Sequence, residues 1–182
     1  MENVINQNFN NFFRSKKSKN SSKVFTTELM KSSFDGVRES FKKHIEPLRL
    51  SNKLNSEIVS DLIISKIVNE LRGNNISSKK GVSDNQADFY VDESPYEVKV
   101  SMGKTWRGGE FSKRESEYIM IIRNRTLIDL RFFVVQAHLK MDDWKSSTHE
   151  NYYATEIKLE DILKKPHTIL CGAFKNNKVI FE

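Results

Sequence analysis

Ala87-Asp88-Phe89-Tyr90-Val91-Asp92-Glu93-Ser94-Pro95-Tyr96-Glu97-Val98-Lys99-Val100-Ser101 is the stretch on which the fold turns. Apolar and polar residues alternate on both sides of a turn-forming Asp-Glu-Ser-Pro segment. Residues 87–91 and 96–101 are therefore expected to be the two strands of a hairpin. In the second strand, period two puts Tyr96, Val98 and Val100 on one face and Glu97, Lys99 and Ser101 on the other. A carboxylate and an ammonium side by side on a half-buried strand need a reason beyond packing.

The register sharpens the expectation. With the turn centred between Glu93 and Ser94, Asp88 faces Lys99 and Tyr90 faces Glu97. Asp88 and Glu97 then lie diagonally on one face, with backbones about 7–8 Å apart. An odd-length turn or a bulge breaks this arrangement. Two converging carboxylates beside a lysine suit a hard, oxygen-ligated cation such as Mg²⁺, which keeps waters and takes substrate phosphate as a ligand.

Upstream, Ile58, Val59, Leu62, Ile63, Ile67 and Leu71 make one apolar face of a helix expected over 56–72, with Ser56 as N-cap and Gly73 as its stop. Phe34, Val37, Phe41 and Ile45 share helical spacing before Pro47, as do Phe9, Phe12 and Phe13. Between these, 14–23 is polar, basic and without periodicity, as in a loop or arm. Downstream, 118–123 and 131–138 are expected as buried strands, 155–165 as a short helix ended by Pro166, and 168–174 and 179–181 as closing strands. The expected class is α/β in the α+β sense, a mixed β-sheet flanked by helices. No repeat or clean linker divides the chain, so 1–182 is expected as one domain, with a helical, basic region over 1–55 and the core over 56–182.

Composition bounds the function. The 182 residues carry 30 Lys plus Arg against 24 Asp plus Glu, a net charge of +6, and are 37% hydrophobic, enough for a real core. The excess is uneven. Residues 1–50 hold ten basic and five acidic side chains, 51–100 six and eight, and 101–150 nine and seven. That layout suits a polyanion held around a cation-gathering site, and equally describes ordinary surface charge. The longest apolar runs, 118–122 and 132–135, are too short to cross a bilayer. The first residues lack a secretory pattern, and the lone Cys171 excludes an internal disulfide framework and a thiolate zinc cluster. A cytoplasmic globular protein with no membrane partner is expected.

Asp88, eight intervening residues and then Glu97-Val98-Lys99 resemble the signature of the PD-(D/E)XK nuclease superfamily, with Ala87 in place of the leading Pro. The motif covers about fifteen residues, a short pattern, and the rest is agreement in layout with bacterial type II restriction endonucleases. The resemblance implies a restriction-endonuclease-like core and Mg²⁺-dependent hydrolysis of DNA phosphodiester bonds by a metal-activated water. It gives Asp88 and Glu97 the cation, with the Val98 carbonyl as a further ligand. Lys99 is implied to orient or deprotonate the attacking water and to stabilise charge on the phosphate. An upstream helix often adds an acid, for which Glu57 is the choice and Glu70 the rival. Such enzymes usually act as homodimers on two-fold-symmetric double-stranded DNA.

After the motif, 103–117 carries Lys104, Trp106, Arg107, Lys113 and Arg114 around Gly108-Gly109. Such a segment can enter a groove, an arginine pairing with a guanine edge while the lysines meet phosphates. An exposed, salt-laced loop is the other reading. The basic 14–23 segment suits nonspecific backbone contact. His44, His138, His149 and His167 have no metal-pair spacing, and Cys171 reads as a small buried hydrophobe. No P-loop, GxGxxG or Ser-centred elbow is present, so no nucleotide cofactor is expected. The expected function is a site-specific DNA endonuclease. Its rivals are a structure-specific or repair nuclease such as a Holliday-junction resolvase, and a noncatalytic DNA-binding protein.

Overall fold

Thr26 opens helix α1, Thr27–Ser40, where its Oγ1 accepts the Leu29 N–H at 3.1 Å and satisfies one of the donors a helix start leaves over. Leu29, Met30, Phe34 and Val37 are buried along one stripe. A π-helical turn, Phe41–Ile45, and a 3-10 turn, Glu46–Leu48, follow, and Arg49 at φ 49° ends the segment. Helix α2, Asn52–Gly73, starts earlier than its spacing predicts, because Ser51 rather than Ser56 caps it, accepting the Leu54 N–H at 3.4 Å. The computed structural model describes residues 24–82, 86–108, 115–126, 129–149 and 152–182. The expected helix around Phe9, Phe12 and Phe13, the basic 14–23 segment, Lys113 and Arg114 lie outside the described residues.

The architecture is mixed α+β. Its main sheet has six strands: β1 (Ser78–Lys80), β2 (Phe89–Val91), β3 (Ser94–Ser101), β5 (Ser116–Arg123), β6 (Phe132–Leu139) and β9 (His167–Cys171). They lie in the order β1-β2-β3-β5-β6-β9, with β3 and β5 parallel and the other neighbours antiparallel. Between β3 and β5 the chain leaves this sheet to form β4, Thr105–Gly108. That strand pairs with β8, Tyr152–Lys158, which pairs in turn with β7, Lys145–His149.

Alternation gives the main sheet two apolar faces. Phe89, Tyr96, Val98, Ile119, Ile121, Phe132 and Val134 pack against α1 and α2 in one cluster, where Phe34 stacks on Phe132 at 4.2 Å between ring centroids. Tyr118, Met120, Ile122, Phe133 and Val135 pack on the other side against Trp106, Trp144, Ile157 and Leu159. Strands buried on both faces read as near-continuous apolar runs, as β5 and β6 do. Among the described residues no helix is long and apolar enough to cross a membrane.

Two expectations need correction here. Residues 155–165 are not one helix: β8 runs to Lys158, and only one turn, α3 (Leu159–Ile162), follows. Thr155, Ile157 and Leu159 are buried while Glu156 and Lys158 are less so, the period of a strand, set by the Trp106–Ile157 pairing with β4. The β2–β3 hairpin is also tighter than expected. Asp92 and Glu93 both take positive φ, 45° and 68°, and form a two-residue turn of the kind that matches strand twist. Phe89 therefore pairs with Tyr96 and Val91 with Ser94, a register two residues from the expected one, so the faces survive.

Phe174, Val179 and Phe181 of the C-terminal segment pack on the face opposite the helices, while Glu182 reaches α1 through Lys31 and Arg38. Strands β10 (Ala173–Lys175) and β11 (Lys178–Ile180) form a hairpin about Asn176 and Asn177, and Glu182 exchanges backbone hydrogen bonds with Phe132. Gly172, at φ 73°, starts this excursion. A Cβ there would meet the Ile180 carbonyl oxygen at 2.4 Å.

Candidate functional site

Continuing the hairpin register one step beyond the Phe89–Tyr96 pair puts Asp88 opposite Glu97 rather than opposite Lys99. Directly opposed residues have backbones about 4.5–5.5 Å apart, closer than the expected diagonal. Asp88 is half-buried, and its Oδ2 accepts the Val98 N–H at 2.7 Å. This side-chain bond takes over where the β2 ladder stops, and it fixes the carboxylate beside the strand that carries Glu97 and Lys99. An antiparallel strand residue presents its N–H and C=O to the same neighbour, so the Val98 carbonyl faces the Asp88 side as well.

Glu97 is only 4% exposed. Its neighbour across the parallel β3–β5 pairing is Tyr118, itself fully buried and tilted against Trp144 at 5.6 Å. The Lys99 Nζ stands 3.7 Å from Glu97 Oε2, at the long end of an ion pair. Burying a carboxylate is costly unless charge and hydrogen bonds offset the loss of water. Glu97 and Lys99 thus form a mostly buried pair of opposite charges on the face of β3 that carries Asp88 at its edge.

The structure thus brings Asp88, Glu97, the Val98 backbone and Lys99 together and leaves the other expected residues elsewhere. Glu57 does not join them. The buried positions of α2 include Asn55, Val59, Ile63 and Ile67, and Glu57, two residues from both Asn55 and Val59, is exposed on another side of the helix. Glu70 lines a groove between α1 and the end of α2, with Glu28 and Asn74. Among the described residues no three or more His, Cys, Asp or Glu side chains gather as metal ligands. Two carboxylates with a backbone carbonyl still fit Mg²⁺, which keeps most of its waters and commonly takes one or two carboxylates from protein.

Of the residues expected on DNA, Trp106 is corrected outright. It is 1% exposed, and its indole N–H donates to the Ile121 carbonyl at 3.0 Å, so it anchors β4 to the main sheet. Lys104 is engaged with Glu160 at 2.7 Å and ties the start of β4 to α3. Its ammonium holds the Glu160 carboxyl below the usual range through a hydrogen bond. Arg107 is exposed, 3.6 Å from Glu156. His138 lies 3.1 Å from both Glu115 and Glu117.

Arg123 is the residue that sequence reasoning missed. It ends the apolar run of β5, is 3% exposed, and donates to the Asn124 carbonyl at 3.0 Å and to Ser56 Oγ at 2.8 Å. Its signal was its phase: Arg123 falls in step with the core positions Ile119 and Ile121. Compared with models of known protein families and with curated proteins, the chain matches none.

Proposed function

We propose that the chain is a Mg²⁺-dependent endonuclease of restriction-endonuclease-like fold that hydrolyses phosphodiester bonds in double-stranded DNA at specific sites. The observation that carries the reading is the Asp88 carboxylate held on the Val98 N–H at 2.7 Å, between the buried Glu97 and Lys99, whose Nζ lies 3.7 Å from Glu97. Asp88, Glu97 and the Val98 carbonyl would hold the cation. When bound, the cation supplies charge neutralisation at the phosphate and lowers the pKa of a water. Lys99 contributes a donor, its ammonium placed to orient a nucleophile and to meet negative charge growing on the phosphate oxygens. Packing of Glu97 under Tyr118 excludes bulk water on one side and strengthens each of these interactions. A homodimer that presents one such site to each strand completes the proposal.

A second reading, a noncatalytic DNA-binding protein, draws on the hydrogen bond from the Val98 amide to Asp88, which already gives that carboxylate a structural occupation. Incubation with plasmid and phage DNA, in Mg²⁺ and in EDTA, separates the readings. Discrete bands that require Mg²⁺ support the endonuclease. Cutting confined to branched DNA moves the assignment to a junction resolvase. Intact DNA in every lane, with binding retained, leaves the noncatalytic reading.

A further inference from the structure

A cavity of about 410 Å³ opens where β3 and β5 end, with Val100 and Met102 as its apolar walls and Ser56, Ser60, Ser101, Thr105, Arg107 and Arg123 as its polar ones. Among the described strands these two are the parallel pair of the main sheet, and crevices outside the carboxyl ends of parallel strands are where open sheets take ligands. The walls come from unlike elements. Ser56 and Ser60 sit in the early turns of α2, Arg123 ends β5 in line with the helix-facing positions, and Arg107 stands at the exposed rim on β4.

Charge makes the cavity unusual. Arg123 is almost wholly buried, yet its hydrogen bonds run to neutral oxygens of Ser56 and Asn124, and among the described residues no carboxylate forms an ion pair with it. Burial lowers its pKa below the ordinary arginine value. A cation kept in such a place is costly until an anion arrives. Arg107 adds a second guanidinium, offset only in part by Glu156 at 3.6 Å. The wall hydroxyls of Ser60 and Ser101 are committed to the Ser56 and Thr105 carbonyls, so the two guanidinium groups set the sign of ligand the cavity favours. Guanidinium groups match phosphate oxygens in geometry as well as charge.

We infer that this cavity is a phosphate site that seats a backbone phosphate of bound DNA, next to the one offered to Asp88, Glu97 and Lys99. Ser101, which lines the cavity at the end of β3, lies two residues beyond Lys99, about 7 Å along the strand, so a DNA strand that crosses this end of the sheet can reach both, although Arg123, Ser56 and Ser60 wall the cavity from the helix side. The choice of DNA as the source of the phosphate rests on the endonuclease reading, whereas the phosphate chemistry does not.

The test uses the full chain in EDTA, which silences any cation site. Binding of a fluorescent 20-base-pair duplex is followed by anisotropy across a salt series for wild type, Arg123→Lys and Arg107→Ala. Thermal unfolding is followed in inorganic phosphate against chloride of equal ionic strength. Phosphate is expected to raise the unfolding temperature of the wild type and to do so less for both variants. Each variant should bind the duplex about five- to twentyfold more weakly, with a shallower salt dependence. Arg107→Ala alters an exposed side chain, so it reports even if the buried substitution unfolds the protein. Duplex binding within twofold of wild type for both variants, with an unchanged salt slope and an unchanged phosphate response, overturns the inference. A phosphate response that both variants weaken, with duplex binding and salt slope unchanged, overturns only the DNA assignment in favour of free phosphate. Weakened duplex binding by the variants, with no Mg²⁺-dependent cutting by the wild type, supports the cavity and sinks the endonuclease reading alone.

Discussion

Asp88 has one structural occupation in this fold and a second that is proposed, and a pair of substitutions separates them. Its carboxylate accepts the N–H of Val98, a residue only 7% exposed, at 2.7 Å. The β2–β3 ladder stops at Phe89 and Tyr96, so the backbone partner that a longer ladder would give Val98 is replaced by this side chain. Asp88→Ala strands a largely buried donor and removes a hydrogen bond to a charged group, at a cost of about 1.5–3 kcal/mol. Asp88→Asn keeps an oxygen for Val98 and should cost about 1 kcal/mol or less, the difference between a charged and a neutral acceptor. Stability is read from urea midpoints without metal, and cleavage from plasmid nicking in Mg²⁺. Both variants should lose more than about a hundredfold in cleavage, since even the outer partners of metal ligands are worth 10–100-fold. An Asp88→Asn enzyme that cuts within tenfold of wild type would falsify the metal role and leave Asp88 a purely structural acceptor.

Other consequences can be checked in the same preparation. Lys99→Ala should lower cleavage by at least about a hundredfold while duplex affinity in EDTA stays within about threefold, and a parallel loss of affinity would make Lys99 a binding residue. Trp106→Ala should cost about 3–5 kcal/mol in urea unfolding, with DNA affinity of the folded fraction unchanged. The reverse pattern would return Trp106 to the DNA surface. Burial pushes the Cys171 thiol up from 9.0 to about 11, so the folded protein favours the protonated form. Stability should therefore be full below pH 9 and fall as pH rises towards 11, by up to about 1.4 kcal/mol per pH unit. Cys171→Ala should flatten that decline in pH-dependent urea titrations, and an unchanged slope would refute the assignment. Tyr96, raised to about 12 chiefly by burial, adds to the decline only above pH 10.

What could be seen in the residues was local. The alternation of Tyr96, Val98 and Val100 with Glu97 and Lys99 is a property of one strand, and it puts two of the candidate site residues on one face. The turn was read two residues too long because its positive-φ positions hold Asp92 and Glu93 rather than Gly or Asn, the usual markers of such turns. Trp106 looked like a loop residue among glycines because its pairing partner, Ile157, lies far along the chain. The same distant pairing makes β8 a strand at the start of the 155–165 segment expected as a helix ended by Pro166. Arg123 carried its clue in phase alone, and its meeting with Ser56 of α2 depends on how the helix layer docks. Glu57 was placed by assuming the helix began at Ser56, and the earlier cap at Ser51 set it one turn further in.

The two-residue turn at Asp92-Glu93 has a consequence for how the protein tolerates changes of length. An inserted residue is harmless if the loop absorbs it as a bulge. If it passes into the ladder, every side chain of β3 changes face. Glu97 and Lys99 would then point at Phe89 and the helices, and Tyr96 and Val98 at the opposite face. Pro95, which has no N–H to give, already restricts the frames that β3 can adopt beside Tyr90. Viable length variants at this turn should therefore slip the ladder by even steps or not at all, and an insertion scan of a remote turn becomes a readout of which face the chemistry occupies.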